Sequence, residues 1–268
     1  MIRARRVSAI VLRQVYLLRG SPARILPLFA WVAIDIVLWG FITRYLNTVA
    51  SPGFDFVPVL LGAVLLWDFF GRVMHGVTMA FFEDVWSRNF LNVFATPLTT
   101  AEYVGGLVLS SVATSTVGLL VMALLASAAF GLSFLAYGVV IAPALLVLFL
   151  FGIALGIAGT AVVLRLGPAA EWLIWPIPAV LSPFAGVFYP VATLPRWMQA
   201  VSWLLAPSSV FEALRALVSG GRVSWPSLAL AAGLAVLDIV LAGWLFARVY
   251  RHAVRTGLIA RYSAESVS

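Results

Sequence analysis

The chain has 268 residues, 63% of them apolar and only 10% charged, with a mean hydropathy of +1.07. A soluble domain carries about 25% charged and 45–50% apolar residues, so this chain has too little charge to wet a globular surface and is expected in a membrane. Neither cysteine nor lysine occurs, which makes all 17 basic residues arginine and excludes disulfides, thiolate metal sites, Schiff-base chemistry and a Walker A loop, whose lysine must reach the nucleotide phosphates.

Residues 2–18 read as an amphipathic helix. Val7, Ile10, Val11, Val15 and Leu18 share one face, with Arg6 and Arg13 on another, so the segment suits a helix lying in the membrane interface with its arginines on anionic headgroups. The alternative is a basic flank that only fixes topology. Six apolar runs follow, set against the roughly 20 residues that cross a bilayer about 30 Å thick: 25–46, 56–82, 103–130, 134–164, 172–189 and 227–246, the longer ones implying tilt or protrusion. The fifth is broken by Pro176, Pro178 and Pro183. The first is too long for the core of a signal peptide and has Arg44 near its end, so it reads as a span.

An even number of spans puts both termini on one side. Twelve of the 17 arginines fall before the first span, after the last, or in the loops on that same side, which the positive-inside rule makes cytoplasmic. The +7 charge is therefore assigned to topology and lipid headgroups, not to nucleic acid. The expected organisation is a cytoplasmic interfacial helix (1–24), a six-span domain (25–248) and a cytoplasmic tail (249–268), in the cell's inner (plasma) membrane.

Two connecting segments carry more pattern than a linker needs. In the cytoplasmic loop 83–102, Trp86, Phe90, Val93 and Phe94 keep helical spacing, with Ser87, Arg88 and Asn89 on other faces. Thr96-Pro97 stops that short helix, and Thr99-Thr100-Ala101-Glu102 forms a capping box flanked by Leu98 and Tyr103. Such a helix suits the reception of force from another protein; the alternative is a helix resting on the membrane. Beyond the fifth span, Phe188-Tyr189-Pro190 leads to a short helix from Trp197 closed by Pro207. Ser209 and Glu212 are expected to cap a second short helix that carries Arg215. These outer helices read as a partial lid, or alternatively as an aromatic belt.

The segments Glu83-Asp84-Val85-Trp86-Ser87-Arg88 through Ala95-Thr96-Pro97-Leu98-Thr99, then Gly186-Val187-Phe188-Tyr189-Pro190, Leu194-Pro195-Arg196-Trp197 and Glu212-Ala213-Leu214-Arg215, resemble the corresponding regions of the permease subunits of type-2 ABC transporters. The resemblance implies an all-α membrane protein with six transmembrane helices, paired with a second copy as a homodimer. It also implies a separate ATPase subunit that binds ATP and magnesium. The loop from Trp86 to Phe94 (Trp86, Ser87, Arg88, Asn89, Phe90, Val93, Phe94) becomes the coupling helix, and Phe188, Tyr189, Pro190, Trp197, Glu212 and Arg215 become the outer gate. No catalytic residue and no cofactor or metal of its own is expected on this chain.

Four charged residues fall inside spans: Asp35, Asp68, Arg72 and Asp238. An ionised group at mid-membrane costs about 2.5–3.5 kcal/mol on insertion scales, so each needs a reason. Asp68 and Arg72, one turn apart, are expected to pair. Asp35 and Asp238 serve either as protonated or hydrogen-bonded fasteners between spans or as proton carriers, the latter leading to the rival reading of a proton-coupled secondary transporter. No conspicuously charged cavity is expected.

Overall fold

The computed structural model describes residues 4–20, 22–49, 56–86, 93 and 95–257. All regular structure among them is helical. Helix α1 (Ala4–Arg19) precedes α2 (Pro22–Val49), which covers the first expected span. A π-helical turn (Val57–Leu61) containing Pro58 leads into α3 (Gly62–Trp86), and α4 (Thr100–Phe130) is the next helix described in full. The fourth expected span begins as a 3-10 turn (Phe134–Val140), interrupted at Gly138, and becomes regular only in α5 (Ile141–Leu166). Then come α6 (Glu171–Ile174), α7 (Ile177–Ala185), α8 (Arg196–Ser202), α9 (Ala206–Val218) and α10 (Trp225–Arg255).

Four of these stretches are long and apolar enough to cross a membrane, or five if the bent α8–α9 pair, which turns through 100°, counts as one. The fifth expected span, 172–189, is not a continuous helix. Trp175-Pro176 divides it into α6 and α7, and Pro183 falls inside the second piece. Proline removes a backbone donor and clashes with the preceding turn, which is why three of them in 18 residues leave only short pieces. The sixth runs farther than its apolar stretch, to Arg255.

Helix α10 packs along α5, α5 along α3, and α3 along α4, so α3 and α5 hold the centre. Phe70, Phe81, Phe82, Leu66 and Met74 of α3 have no exposed surface. In a bilayer, lipid is as apolar as leucine, so close packing and interhelical hydrogen bonds must supply the cohesion. Gly156 shows how: a Cβ there would lie 2.8 Å from the Met74 carbonyl oxygen, so only glycine lets the two backbones approach this closely. The Thr78 hydroxyl uses that approach, donating to the Gly156 carbonyl at 3.3 Å. Ser111 of α4 likewise donates to the Val73 carbonyl at 2.9 Å.

Helix α1 forms where expected but is turned differently. Its buried residues are Ile10 and Gln14, while Val15 is exposed, and Arg6 and Arg13 point into the protein. The cause is two buried carboxylates, Glu102 and Asp84, at the neighbouring helix ends, each of which pairs with one of these guanidinium groups. Arg5, Leu12, Tyr16 and Arg19 remain on the outward face.

Candidate functional site

Two arrangements collect the chemistry-bearing side chains. The first is a clamp at the end of the bundle where α3 stops and α4 starts. Thr99 caps α4: its hydroxyl accepts the Glu102 backbone N–H at 3.2 Å while the Glu102 carboxylate accepts the Thr99 N–H at 2.9 Å. This is the expected capping box, and it satisfies two of the donors a helix start leaves unpaired. The Glu102 carboxylate, fully buried, also pairs with Arg6 at 3.2 Å, and Arg6 donates to the Pro97 carbonyl. About two helical turns farther along α1, Arg13 pairs with the fully buried carboxylate of Asp84 near the end of α3. Tyr103 donates its hydroxyl to the other Asp84 oxygen at 2.7 Å. The hydrogen bond to Asp84 pushes the Arg13 guanidinium above its ordinary value, so it stays charged.

A single helix thus grips both flanks of the segment 87–94. Ile10 seats it against α4 at Gly106, where a Cβ would meet the Ile10 side chain at 2.6 Å. Among the loop residues singled out for coupling, Trp86 ends α3 and Val93 packs against the main core. Ser87, Arg88, Asn89, Phe90 and Phe94 lie outside the described residues.

The second arrangement is a cavity of about 570 Å³ between α2, α3, α4 and α7. Asp35, Asp68, Arg72 and His75 line it together with Trp39, Trp67, Trp175 and Phe188. This corrects the expectation of a path without conspicuous charge: the first and second spans turn their ionisable residues toward one space. Arg72 donates to Asp68 at 2.8 Å, as the i, i+4 spacing predicts. Asp35 has no hydrogen-bond or ion-pair partner among the described residues, although it lies within electrostatic reach of that pair. Asp238 sits on α10 and does not line the cavity. His75 lies against Trp175, with ring centroids 4.7 Å apart and planes tilted by 32°, and its buried Nε2 has no partner among the described residues. Trp39 stacks on Phe188 at 5.0 Å with ring planes 7° apart. Nothing in the sequence marks His75, Trp39 or Trp175 as cavity residues, since a lone histidine or tryptophan on an apolar helix has no local signature.

At the opposite end of α3, Glu212 and Arg215 hold the segment after α7. The Glu212 carboxylate accepts the Val191 N–H at 2.8 Å and pairs with Arg215 at 2.8 Å, and Arg215 also donates to the Gly186 carbonyl at 2.7 Å. The capping box expected from Ser209 and Glu212 does not form. Helix α9 begins earlier, with Pro207 in its first turn, so Ser209 is inside the helix and Glu212 is free to bind the 186–191 segment. Tyr189 donates to the Pro183 carbonyl at 3.2 Å, and Trp197 packs edge-on to Phe184 with centroids 6.1 Å apart. Pro190 starts the short turn 191–193.

Among the described residues all regular structure is helical, and four helices, or five with the bent pair, have the length and apolar character that a multi-span membrane protein needs. Neither a protein-family profile nor a curated protein matches the sequence. Among the described residues, no group of three or more His, Cys, Asp or Glu is arranged to hold a metal ion.

Proposed function

We propose that this chain is the membrane-spanning subunit of an ATP-driven exporter, similar to type-2 ABC permeases. It has six spans, both termini are cytoplasmic, and it works as a homodimer in the plasma membrane. Energy comes from a separate ATPase subunit, because a chain without lysine has no Walker A loop. In the six-span reading, α2 is the first span and α6–α7 together make the broken fifth, with α8 and α9 as outer helices.

The observation that carries this reading is the clamp. The loop 87–94 is joined to α3 and α4, and α1 ties the two junctions through Asp84 and Glu102. A push on the loop therefore moves two spans and the interfacial helix as a unit. Both spans line the cavity, so the same push alters its shape. The rival proton-coupled mechanism needs Asp35 and Asp238 on one path, and only Asp35 lines the cavity.

The test is purification of the chain with and without the product of a neighbouring reading frame that carries a Walker A motif. Retention of that ATPase, with no ATP hydrolysis by the chain alone, supports the reading. Uptake by the isolated chain in proteoliposomes driven by a pH gradient overturns it.

A further inference from the structure

The cavity between α2, α3, α4 and α7 has a definite charge balance. Among the described residues, two carboxyl groups, Asp35 and Asp68, face one guanidinium, Arg72. Asp68 and Arg72 are matched at 2.8 Å, which leaves Asp35 as a second carboxyl without a hydrogen-bond or ion-pair partner among the described residues. A charge facing a mostly apolar cavity is costly unless something pairs with it. Aromatic rings line the same cavity: Trp39, stacked on Phe188, and Trp175, against which His75 lies tilted. Tryptophan gives the strongest attraction of any side-chain ring for a cation. The volume, about 570 Å³, falls within the roughly 300–1,000 Å³ of sites that enclose a drug-sized molecule.

We propose that this cavity binds a lipophilic organic monocation, with Asp35 as counter-ion and Trp39, Trp175 and Phe188 as the aromatic walls. An anionic lipid or a neutral glycan would leave Asp35 unpaired or bring like charge against it. The assignment names the cargo class of the export reading and, as a cargo, rests on that reading; the binding rests on the cavity alone.

The test uses the purified full chain in nanodiscs with two probes of closely matched size and opposite charge, tetraphenylphosphonium and tetraphenylborate. Saturable quenching of tryptophan fluorescence is read after subtraction of empty nanodiscs. Tetraphenylphosphonium is expected to bind at least about tenfold more tightly than tetraphenylborate, Asp35→Asn to weaken it about tenfold, and Asp35→Glu to retain it. Trp175→Leu, which leaves every charge in place, should also weaken it.

Equal saturable binding of the two ions, or unchanged affinity in a helical, monodisperse Asp35→Asn chain, overturns the proposal. So does efficient crosslinking of two copies through a cysteine introduced at position 39, which would mean that a second copy fills the cavity. Binding needs no ATPase. Its failure therefore leaves the partner-subunit reading standing, whereas failure to retain an ATPase leaves the cavity assignment standing.

Discussion

Arg13 and Asp84 lie 71 positions apart in sequence, yet the guanidinium of one meets the carboxylate of the other, which has no exposed surface. The pair fastens the N-terminal helix to the end of α3, and Tyr103 brings α4 to the same carboxylate. Removing one partner of such a pair leaves a buried charge uncompensated, at a cost of about 3–5 kcal/mol. Because Arg13 is partly exposed, Arg13→Ala should loosen α1 by about 3 kcal/mol, read as faster hydrogen exchange of its amides. Asp84→Asn should cost less, and the double variant less than the sum of the two. Strict additivity would show that the residues do not interact.

The capping box offers a second, smaller lever. Thr99→Ala removes one acceptor at the start of α4 and should cost about 1 kcal/mol. Glu102→Ala should cost more, since it deletes the return bond to the Thr99 N–H and also the partner of Arg6. Thermal unfolding in one detergent orders the two. Equal midpoints would mean that the Arg6 pair adds nothing.

Gly106 determines whether α1 can dock. Gly106→Leu inserts a side chain where Ile10 now sits, an overpacking expected to cost about 1–3 kcal/mol and to expose α1 to protease. Ile10→Ala in the same chain should restore protection. Without such rescue, the contact between these two residues is not what seats the helix.

At the other end, Arg215→Ala removes a charged donor from the Gly186 carbonyl and the partner of Glu212. Charged hydrogen bonds contribute about 1.5–3 kcal/mol each, so the 186–191 segment should become mobile while the α1 clamp stays intact. A spin label at position 192, in a chain with no native cysteine, reads this directly. Unchanged label mobility would contradict the role of Arg215 as a tie.

What the sequence reveals and what it hides follow from range. The Thr99–Glu102 box and the Asp68–Arg72 pair are readable because both are complete within one turn of one helix. The long apolar helices are readable because hydropathy sums over many residues. Ser209 misleads because its spacing to Glu212 fits a cap, while Pro207 starts the helix earlier and a distant backbone N–H, that of Val191, claims the carboxylate. Arg6 and Arg13 mislead for a similar reason. Helical periodicity puts them on a polar face, but only the tertiary fold brings Asp84 and Glu102 beneath it. The cavity is hidden altogether, since its walls come from four helices and its histidine and tryptophans have no shared spacing.

The central claim is that the 86–94 loop receives force from a separate ATPase. A photoreactive residue placed at position 90 in the full chain, with the candidate ATPase co-expressed, measures this most directly. The expected result is a light-dependent adduct between the two chains, weakened when Arg13→Ala releases the helix that ties the flanks of the loop. Exclusive crosslinking to lipid, with transport by the chain unchanged in the absence of any ATPase, would contradict it.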